Sequence, residues 1–468
     1  MNLKLKSSLE YLRNLAIKKR ITSEDTNRVY EILNLYFSEF KRNQVFKNVE
    51  YNLSTRFQEL LSHSDKEGGI LFSNLYFLFC FTLSSNSFKE MQIPIYKNIA
   101  IPFKEWVSKS WSFIENSLSK ITFNQEIVFI CRRAVTKGLY APGSSIYTFT
   151  KALINDYKDV TIISLNEVDE TFLKLEVENN NLKIIQLEPN SIGVKLLSLI
   201  ELLKFIKPKV ILTEVEFDIT SIISIIRPEI PFIYLSAGFY NLPWYKKIGL
   251  TDTLSDNPIG MRKNDFFEIP TYVASELLNP NINKTDVDKT SIQLGITKDH
   301  FVIGSIARME KFSIPFLSFL KNVLNKYDNF KLILAGPNDQ SRVNSQLNSL
   351  INQNRVIVLG NIDAHLIGNC FDLGIDTFPL HSGFSMMELM EKGIPVISKN
   401  DEGIDGNWKK RLPELLCSSE KGMENLIYKI SRNRNYYDEL SKKTKCFLNI
   451  KNYDKGFLTQ LYKVIETI

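Results

Sequence analysis

The chain has 468 residues, which is enough for two or three domains with cores of their own. A hydrophobic fraction of 44% and a charged fraction of 24% are ordinary for a soluble globular protein. The net charge of +6 suits phosphate-bearing ligands or an anionic membrane surface. The basic residues are dispersed and form no stripe interleaved with aromatic residues, which argues against a nucleic-acid partner.

The N-terminal part of the chain is predicted to be helical. Residues 1–120 place apolar side chains at helical spacing and contain almost no strand-like runs, which indicates an all-helical N-terminal domain. The first twenty residues are charged and lack the apolar core of a signal peptide. The apolar run 70–83 is too short to span a bilayer and contains Asn74, so we expect a buried helix and no transmembrane segment. Peripheral contact with a membrane stays open.

From residue 121 the pattern changes to strands that alternate with helices. A first α/β half covers 121–295, and the alternation restarts in a second half over 296–468, after the polar, strand-free stretch 283–300. Continuous apolar strands separated by helices predict parallel sheets covered on both faces. The fold class is therefore α/β, with two tandem doubly wound, Rossmann-like domains preceded by an all-helical domain. The predicted strands are EIVFIC, VTIISL, LKIIQL, KVILTEV and PFIYLS in the first half, and FVIGSIA, FKLILAG, RVIVLG, DLGIDTF and PVIS in the second.

In a doubly wound sheet, ligands bind at the carboxyl ends of the strands, so the cleft between the halves is the expected site. In the first half, Gly143, Ser144 and Ser145 stand just before a predicted helix, where small residues would let a ligand approach the backbone. The turn lacks the GxGxxG pattern, so dinucleotide binding has no support. An ordinary capped turn is the alternative interpretation.

In the second half, the stretch IDTFPLHSGFSMMELMEKGIPVIS (375–398) places a loop with Gly383 before a Met-rich helix. One interpretation is packing, in which the methionines cover a sheet and Glu388 pairs with Lys392 on the outside. The other is an anion site made by free backbone N–H groups at the helix N-terminus, with Glu388 within reach of a ribose hydroxyl. Arg308 and Lys311 follow a strand of the same predicted sheet, where they would either meet a diphosphate or decorate the surface.

The segment RVIVLGNIDAHLIGNCFDLGIDTFPLHSGFSMMELMEKGIPVIS resembles the nucleotide-sugar segment of GT-B glycosyltransferases, and most of all the family of O-GlcNAc transferase and the bacterial adhesin N-glucosyltransferases. GSIARMEKFSIPFL resembles the family's strand and diphosphate-binding lysine followed by proline. IIRPEIPFIYLSAGFYNLPWYKKIGLTDTLSDNP resembles its arginine-proline, apolar strand, glycine loop and aspartate. KKRLPELLCSSEKGM is similar to the segment after the site. The resemblance covers about residues 205–440 and is clearest in the second half.

This resemblance implies a two-domain GT-B fold and a donor site for a UDP-sugar. By position, Lys311 would bind the diphosphate, Ser385 would add a hydroxyl and an N–H to phosphate, Glu388 would hold the ribose and His365 would lie against uracil. The acceptor side would take Gly238 together with the small residues of the first turn. The complete donor-binding set is Arg308, Lys311, Asn361, His365, His381, Gly383, Phe384, Ser385 and Glu388.

The chain departs from the family at several of these positions. Phe384 and Ser385 stand where the family usually has two threonines, and Glu388 stands where it often has aspartate. Some members use an arginine to help hold the base, and the position of that arginine falls near Gly368 in this chain. A glutamate at position 388 also fits the retaining GT-B enzymes, whose earlier paired glutamate is Leu380 here.

The expected chemistry needs no metal or other cofactor, because cations and helix dipoles can neutralise a leaving diphosphate, with Lys311 in a catalytic role. An inverting enzyme would need a base in the first half, and that half has no histidine from 121 to 299. Asp218 is the first candidate for the base and Glu216 the next, with helix capping by Asp218 as the alternative. A retaining enzyme would need no such base.

The sequence thus predicts a metal-independent, UDP-sugar-dependent hexosyltransferase whose acceptor is a protein side chain or a bacterial surface glycan. Five scattered cysteines, without a CxxC pair or a cluster with metal-ligand spacing, indicate reduced thiols and a cytoplasmic protein. The alternatives are a retaining enzyme of lipopolysaccharide or capsule synthesis and a catalytically silent GT-B subunit that binds a partner. The sugar, the acceptor, the stereochemistry and the oligomeric state stay open.

Overall fold

A computed structural model describes most of the chain from residue 95 onward. The described ranges are 95–122, 126–136, 141–156, 158–188, 190–236, 242–251, 266–269, 274–337, 340–360, 362–378, 381–400, 412–447 and 453–467. Before residue 95 the structure describes scattered residues between 7 and 73, all of them in helices. Of the predicted buried helix 70–83, Ile70 and Ser73 are described, both helical and buried, and the rest lies outside the described residues.

The described elements alternate between strand and helix from residue 127 to the C-terminal side. The strands are β1 (Ile127–Cys131), β2 (Val160–Ser164), β3 (Leu182–Gln186), β4 (Val210–Thr213), β5 (Phe232–Ser236), β6 (Lys247–Thr251), β7 (Phe266–Ile269), β8 (Phe301–Ile306), β9 (Phe330–Ala335), β10 (Val356–Leu359), β11 (Leu373–Ile375), β12 (Val396–Lys399) and β13 (Leu416–Cys417). The helices are α1 (Ile101–Ser110), α2 (Glu115–Leu118), α3 (Ala141–Asn155), α4 (Glu170–Glu178), α5 (Ile192–Ile206), α6 (Ile219–Ile226), α7 (Ser275–Leu278), α8 (Lys284–Gln293), α9 (Ile314–Lys326), α10 (Ser341–Asn352), α11 (Ala364–Gly368), α12 (Phe384–Glu391), α13 (Glu420–Arg432), α14 (Arg434–Phe447) and α15 (Tyr453–Ile465). A π-helical turn, Ile95–Ala100, precedes α1.

The first sheet has seven strands in the order β3-β2-β1-β4-β5-β6-β7, all paired in parallel. Strands β1, β2 and β4 are buried at every position, as expected for strands covered on both faces. The order runs outward in one direction from β1 and in the other from β4. The boundary between β1 and β4 is therefore the topological switch point of this sheet.

The second sheet has six strands in the order β10-β9-β8-β11-β12-β13, again all parallel. Its switch point lies between β8 and β11. Gly304 in β8 is required by packing, because a Cβ there would lie 2.0 Å from the ring of Phe371. The prediction of two parallel, doubly wound α/β sheets is confirmed, and each of the ten predicted strands is present.

The contacts divide the chain into two compact units, each with its own sheet. The first runs up to Val273 and includes Lys451–Ile468, and the second contains Ala274–Ile450. The C-terminal helix α15 packs on the first sheet's unit, where Phe457 stacks on Phe149 of α3 with ring centroids 4.1 Å apart. The predicted halves divide instead at residue 295 and extend the second half to 468, and these domain limits stay a prediction. None of the helices in the described ranges is long and apolar enough to cross a membrane.

Candidate functional site

The loops that follow β8 and β11 lie at the switch point of the second sheet. Lys311 ends a 3₁₀ turn, Met309–Lys311, directly after β8, and its Nζ donates a hydrogen bond of 2.7 Å to the carbonyl of His381 in the loop after β11. Two residues later Ser313 caps α9 and donates through Oγ to the carbonyl of Phe378, at 2.6 Å. These two bonds tie the loops together and place the ammonium group of Lys311 beside the start of α12.

A buried polar network holds the loop after β11. Asp376 is completely buried, and its two carboxylate oxygens accept from the backbone N–H of Ser382 at 2.8 Å and from the hydroxyl of Ser398 at 3.2 Å. Nδ1 of His381 lies 2.5 Å from Asp376, and the His381 side chain is only 5% exposed. Among the described residues, Nε2 of His381 has no hydrogen-bond partner. The network therefore holds in place the His381 carbonyl, which accepts the hydrogen bond from Lys311.

Helix α12 begins at this loop without a side-chain cap from the part of the chain that the structure describes. Gly383 is its exposed N-cap residue, and Ser385 lies half-buried in the first turn. The opposite face of the helix is apolar, with Met386, Met387 and Met390 all buried. The predicted packing of the methionines is therefore confirmed, whereas the anion site at the uncapped N-terminus stays a prediction. Phe384 is the first residue of α12, and its side chain lies outside the described residues.

Glu388, one turn into α12, is half-buried, and its Oε2 has no hydrogen-bond partner among the described residues. Burial raises the pKa of Glu388 to about 7, with the charge of Lys392 opposing and that of Asp363 reinforcing this shift. The prediction that Glu388 and Lys392 pair on the outside is wrong. Lys392 is half-buried and its Nζ donates to the backbone carbonyls of Leu278, at 2.9 Å, and of Glu388 itself, at 3.1 Å.

His365 lies in the first turn of the short helix α11, after β10. Asp363 caps this helix by accepting from the backbone N–H groups of His365, at 2.9 Å, and Leu366, at 3.1 Å. Nδ1 of His365 lies 3.2 Å from Nζ of Lys392, which links α11 to α12. Burial and the charge of Lys392 lower the pKa of His365 to about 4, so the ring is neutral at physiological pH.

Two further residues, Arg308 and Asn361, were predicted to contact the donor. Arg308 is exposed at the start of the 3₁₀ turn that carries Lys311. Asn361 lies outside the described residues. The structure therefore brings Lys311, His381, Gly383 and Ser385 to one edge of the sheet and joins Glu388 to His365 through Lys392.

At the switch point of the first sheet, acidic residues follow β4. Asp218 is the N-cap of α6, and its Oδ1 accepts from the backbone N–H of Ile219 at 2.7 Å. Glu216 accepts from the hydroxyl of Tyr234 at 3.0 Å and lies 3.7 Å from the guanidinium of Arg132. Asp218 therefore does cap a helix, which was the alternative to its role as a base, and both carboxylates are half-buried rather than sequestered.

The prediction of an acceptor-side loop at residues 143–145 needs correction. Helix α3 is described from Ala141 onward, so Gly143, Ser144 and Ser145 lie within its first five residues rather than before it. Pro142 explains the earlier start, because proline is well suited to the first turn of a helix. Gly143 is buried and the two serines are half-buried. Gly238 lies outside the described residues.

Sequence reasoning missed Asp376, and it considered Lys392 only as an outside partner of Glu388. Asp376 directly follows the apolar residues of β11, and an acidic residue at the carboxyl end of a buried strand was an available signal. Lys392 had no such signal, because its partners on α7 and α11 are distant in the chain.

Two units, each with a doubly wound parallel sheet, define the GT-B fold, and solved structures agree with this assignment. A glycosyltransferase of Rickettsia africae aligns with 74% of this chain and 99% of its own at 15% identity, with a TM-score of 0.57. Anabaena HepE in complex with UDP and glucose aligns with 74% of this chain and all of its own at 15% identity, TM-score 0.53.

An O-GlcNAc transferase of Thermobaculum terrenum aligns over the whole of both chains at 12% identity, with a TM-score of 0.54. At these identities the likeness shows the fold alone. No protein-family model and no curated protein matches the sequence.

Proposed function

We propose that the protein is a glycosyltransferase that uses a UDP-sugar donor. The observation that carries this proposal is the Lys311 ammonium beside the start of α12, a helix whose N-terminus has no side-chain cap in the described residues, at the switch point of the second sheet. A fixed cation and a helix N-terminus together make a site for a diphosphate. The HepE structure contains UDP, which supports a uridine nucleotide as the ligand of this fold.

In this proposal the donor lies along α12. Its diphosphate contacts Lys311, the hydroxyl and N–H of Ser385 and the backbone at Gly383, while Glu388 accepts hydrogen bonds from the ribose. Glu388 suits that role because Oε2 is buried and has no partner among the described residues. His365 lies on the uracil side. The other predicted donor contacts are Arg308, Asn361, His381 and Phe384.

The proposed reaction is direct group transfer. The bond between the anomeric carbon of the sugar and the β-phosphate oxygen breaks, an acceptor nucleophile attacks the carbon, and UDP leaves. Lys311 and the dipole of α12 stabilise the charge that develops on the diphosphate. If the enzyme inverts, Asp218 takes the acceptor's proton, with Glu216 as the second candidate.

The acceptor we propose is a protein side chain or a bacterial surface glycan. It would meet the first unit at the start of α3, near Gly143, Ser144 and Ser145, and at Gly238. Metal independence and a cytoplasmic location stay predictions. The free thiols of Cys131, Cys370 and Cys417 support a reducing compartment.

The test is a screen of UDP-glucose, UDP-GlcNAc, UDP-galactose and GDP-sugars by thermal shift and by slow hydrolysis of the donor. A ligand at about 100 times its dissociation constant should stabilise the protein by about 2.7 kcal/mol. Lys311→Ala should abolish both effects, whereas Lys298→Ala, at an exposed lysine of the same unit, should leave both intact. No thermal shift with any nucleotide sugar would overturn the proposal.

A further inference from the structure

The ammonium group of Lys392 lies within hydrogen-bond distance of three acceptors. This lysine is the C-cap residue of α12, and the acceptors are the carbonyl of Leu278 in α7, the carbonyl of Glu388 and Nδ1 of His365, at 2.9, 3.1 and 3.2 Å. An ammonium group has three N–H donors and no acceptor. Each of its hydrogens can therefore be matched to one of these three acceptors.

This arrangement decides which nitrogen of His365 carries the proton. Because the ammonium can only donate, Nδ1 must accept with its lone pair, so the proton of the neutral ring lies on Nε2. A protonated ring would place a second cation 3.2 Å from Lys392. Burial and this charge lower the pKa of His365 to about 4, so the neutral ring prevails at pH 7.

Lys392 itself is mainly charged at neutral pH. Burial lowers its pKa to about 8, and the carboxyl groups of Glu388, Asp363 and Glu391 oppose that shift. The hydrogen bond from Asn369 uses the backbone carbonyl of His365 and not its ring. Within the described residues, Nε2 of His365 makes no hydrogen bond, so this nitrogen can donate to a ligand.

We propose that Lys392 is a positioning residue that fixes His365 as the Nε2–H tautomer and thereby makes its ring a hydrogen-bond donor to the nucleobase of the nucleotide. This inference rests on the proposed function for its ligand. A ring that only donates favours a base edge with a carbonyl acceptor, such as uracil, over a base that presents an amino group at the same position, such as cytosine. Lys392 then selects the base without touching it.

The tautomer is tested without a ligand by ¹⁵N-labelled histidine NMR on the full chain. The protein has four histidines, so the ring signals of His365 can be assigned with a His365→Gln variant. We expect Nε2 to be protonated and Nδ1 to have the shift of a lone-pair nitrogen at pH 7, with no titration above pH 5. Lys392→Met should allow a mixture of tautomers and a higher titration midpoint, Lys392→Arg should keep the wild-type signals, and Lys289→Met, at an exposed lysine of α8, should change nothing. A ring protonated on Nδ1, or charged at pH 7, in the wild type would overturn the proposal.

The selectivity is tested by titrating the wild type, Lys392→Met, Lys392→Arg and Lys289→Met with UDP and CDP. We expect the wild type to bind UDP about tenfold more tightly than CDP, as one hydrogen bond allows, and Lys392→Met to lose most of this ratio while Lys392→Arg keeps it. An unchanged ratio in Lys392→Met would contradict the proposed selectivity. If the wild type binds neither nucleotide, the proposed function and the nucleobase role both fail, and the NMR result alone decides the tautomer.

Discussion

The switch points of the two sheets differ in the groups that lie beside their cations and in the caps of the helices that follow. At the first sheet, the cation Arg132 lies beside carboxylates, with its backbone N–H bonded to Glu214 at 2.8 Å and its guanidinium 3.7 Å from Glu216. The helix after β4 is capped by Asp218. At the second sheet, Nζ of Lys311 donates a hydrogen bond to a carbonyl oxygen, and the N-cap residue of α12 is a glycine.

The same topology thus supports opposite electrostatics. The carboxylates after β4 disfavour an anion at the first sheet, and in the proposed reaction one of them would take the proton of the acceptor. The lysine and the helix N-terminus after β8 and β11 favour an anion at the second sheet. The difference comes from a handful of side chains at the strand ends, which shows that the fold supplies the positions and the residues supply the chemistry.

The largest expected effect tests the proton chemistry assigned to the first sheet. Asp218→Asn keeps the size and the capping ability of the side chain but removes the base. If the enzyme inverts, transfer to the acceptor should fall about 10²- to 10⁴-fold while UDP binding is unchanged. Glu216→Gln is the matched comparison, and a loss confined to that variant would move the base to Glu216. Full transfer activity in both variants would show that neither Asp218 nor Glu216 acts as the base.

A second prediction uses the carboxyl group of Glu388 at the second sheet, whose Oε2 has no hydrogen-bond partner in the described part of the chain. Because the pKa of Glu388 is raised to about 7 from its ordinary 4.5, the folded state keeps a proton that the unfolded state loses. The free energy of unfolding contributed by this group therefore falls as the pH rises from about 4.5 to 7, by about 3 kcal/mol at most. Glu388→Gln should gain that stability relative to the wild type between pH 4 and pH 8, measured by urea unfolding at each pH. Glu105→Gln, an exposed glutamate of α1, should follow the wild type, and a Glu388→Gln difference that does not depend on pH would contradict the burial argument.

A smaller effect comes from making the second switch point resemble the first. Gly383 has a φ of −105°, and a Cβ there would meet nothing within 4 Å, so the backbone accepts a side chain. Gly383→Asp would cap α12 as Asp218 caps α6, and should raise stability by a few tenths of a kcal/mol. Its carboxylate would occupy the N-terminus and weaken UDP binding about tenfold.

Gly383→Ser is the control for this change, because it caps the helix without a charge. It should weaken UDP binding less than Gly383→Asp. Equal binding by the wild type and Gly383→Asp in an isothermal titration would show that the N-terminus of α12 does not contact the diphosphate.

Most of the architecture could be predicted from the sequence because ten strands are continuous apolar runs. The prediction missed β6, β7 and β13, which lie toward the edges of their sheets. Strand β6, KIGLT, contains a lysine and a glycine, and β13 has only two residues, so neither carries the periodic signal of a buried strand. The described residues of the N-terminal region are helical up to Leu118 apart from the turn at Trp111, whereas a separate N-terminal domain stays a prediction.

The sequence could predict those residues of the site whose position depends on a single strand and the loop that follows it. Lys311 and Gly383 each follow a predicted strand, and the topology then brings them to one edge. The contacts that bond α7 and α11 to Lys392, or that join Asp376 to Ser398, depend on side-chain packing across distant segments. Periodicity cannot report such contacts. The start of α3 was misplaced for a local reason, because Pro142 was taken as part of a loop although it fits the first turn of a helix.

The central claim is that the second switch point, and not the first, binds the diphosphate of a nucleotide sugar. The most direct measurement is the dissociation constant of UDP for the wild type, Lys311→Met and Arg132→Met by isothermal titration calorimetry. We predict that the wild type and Arg132→Met bind UDP alike and that Lys311→Met binds it about 100-fold more weakly, as expected for a lost charge-assisted hydrogen bond. Binding that survives in Lys311→Met and is lost in Arg132→Met would contradict the account.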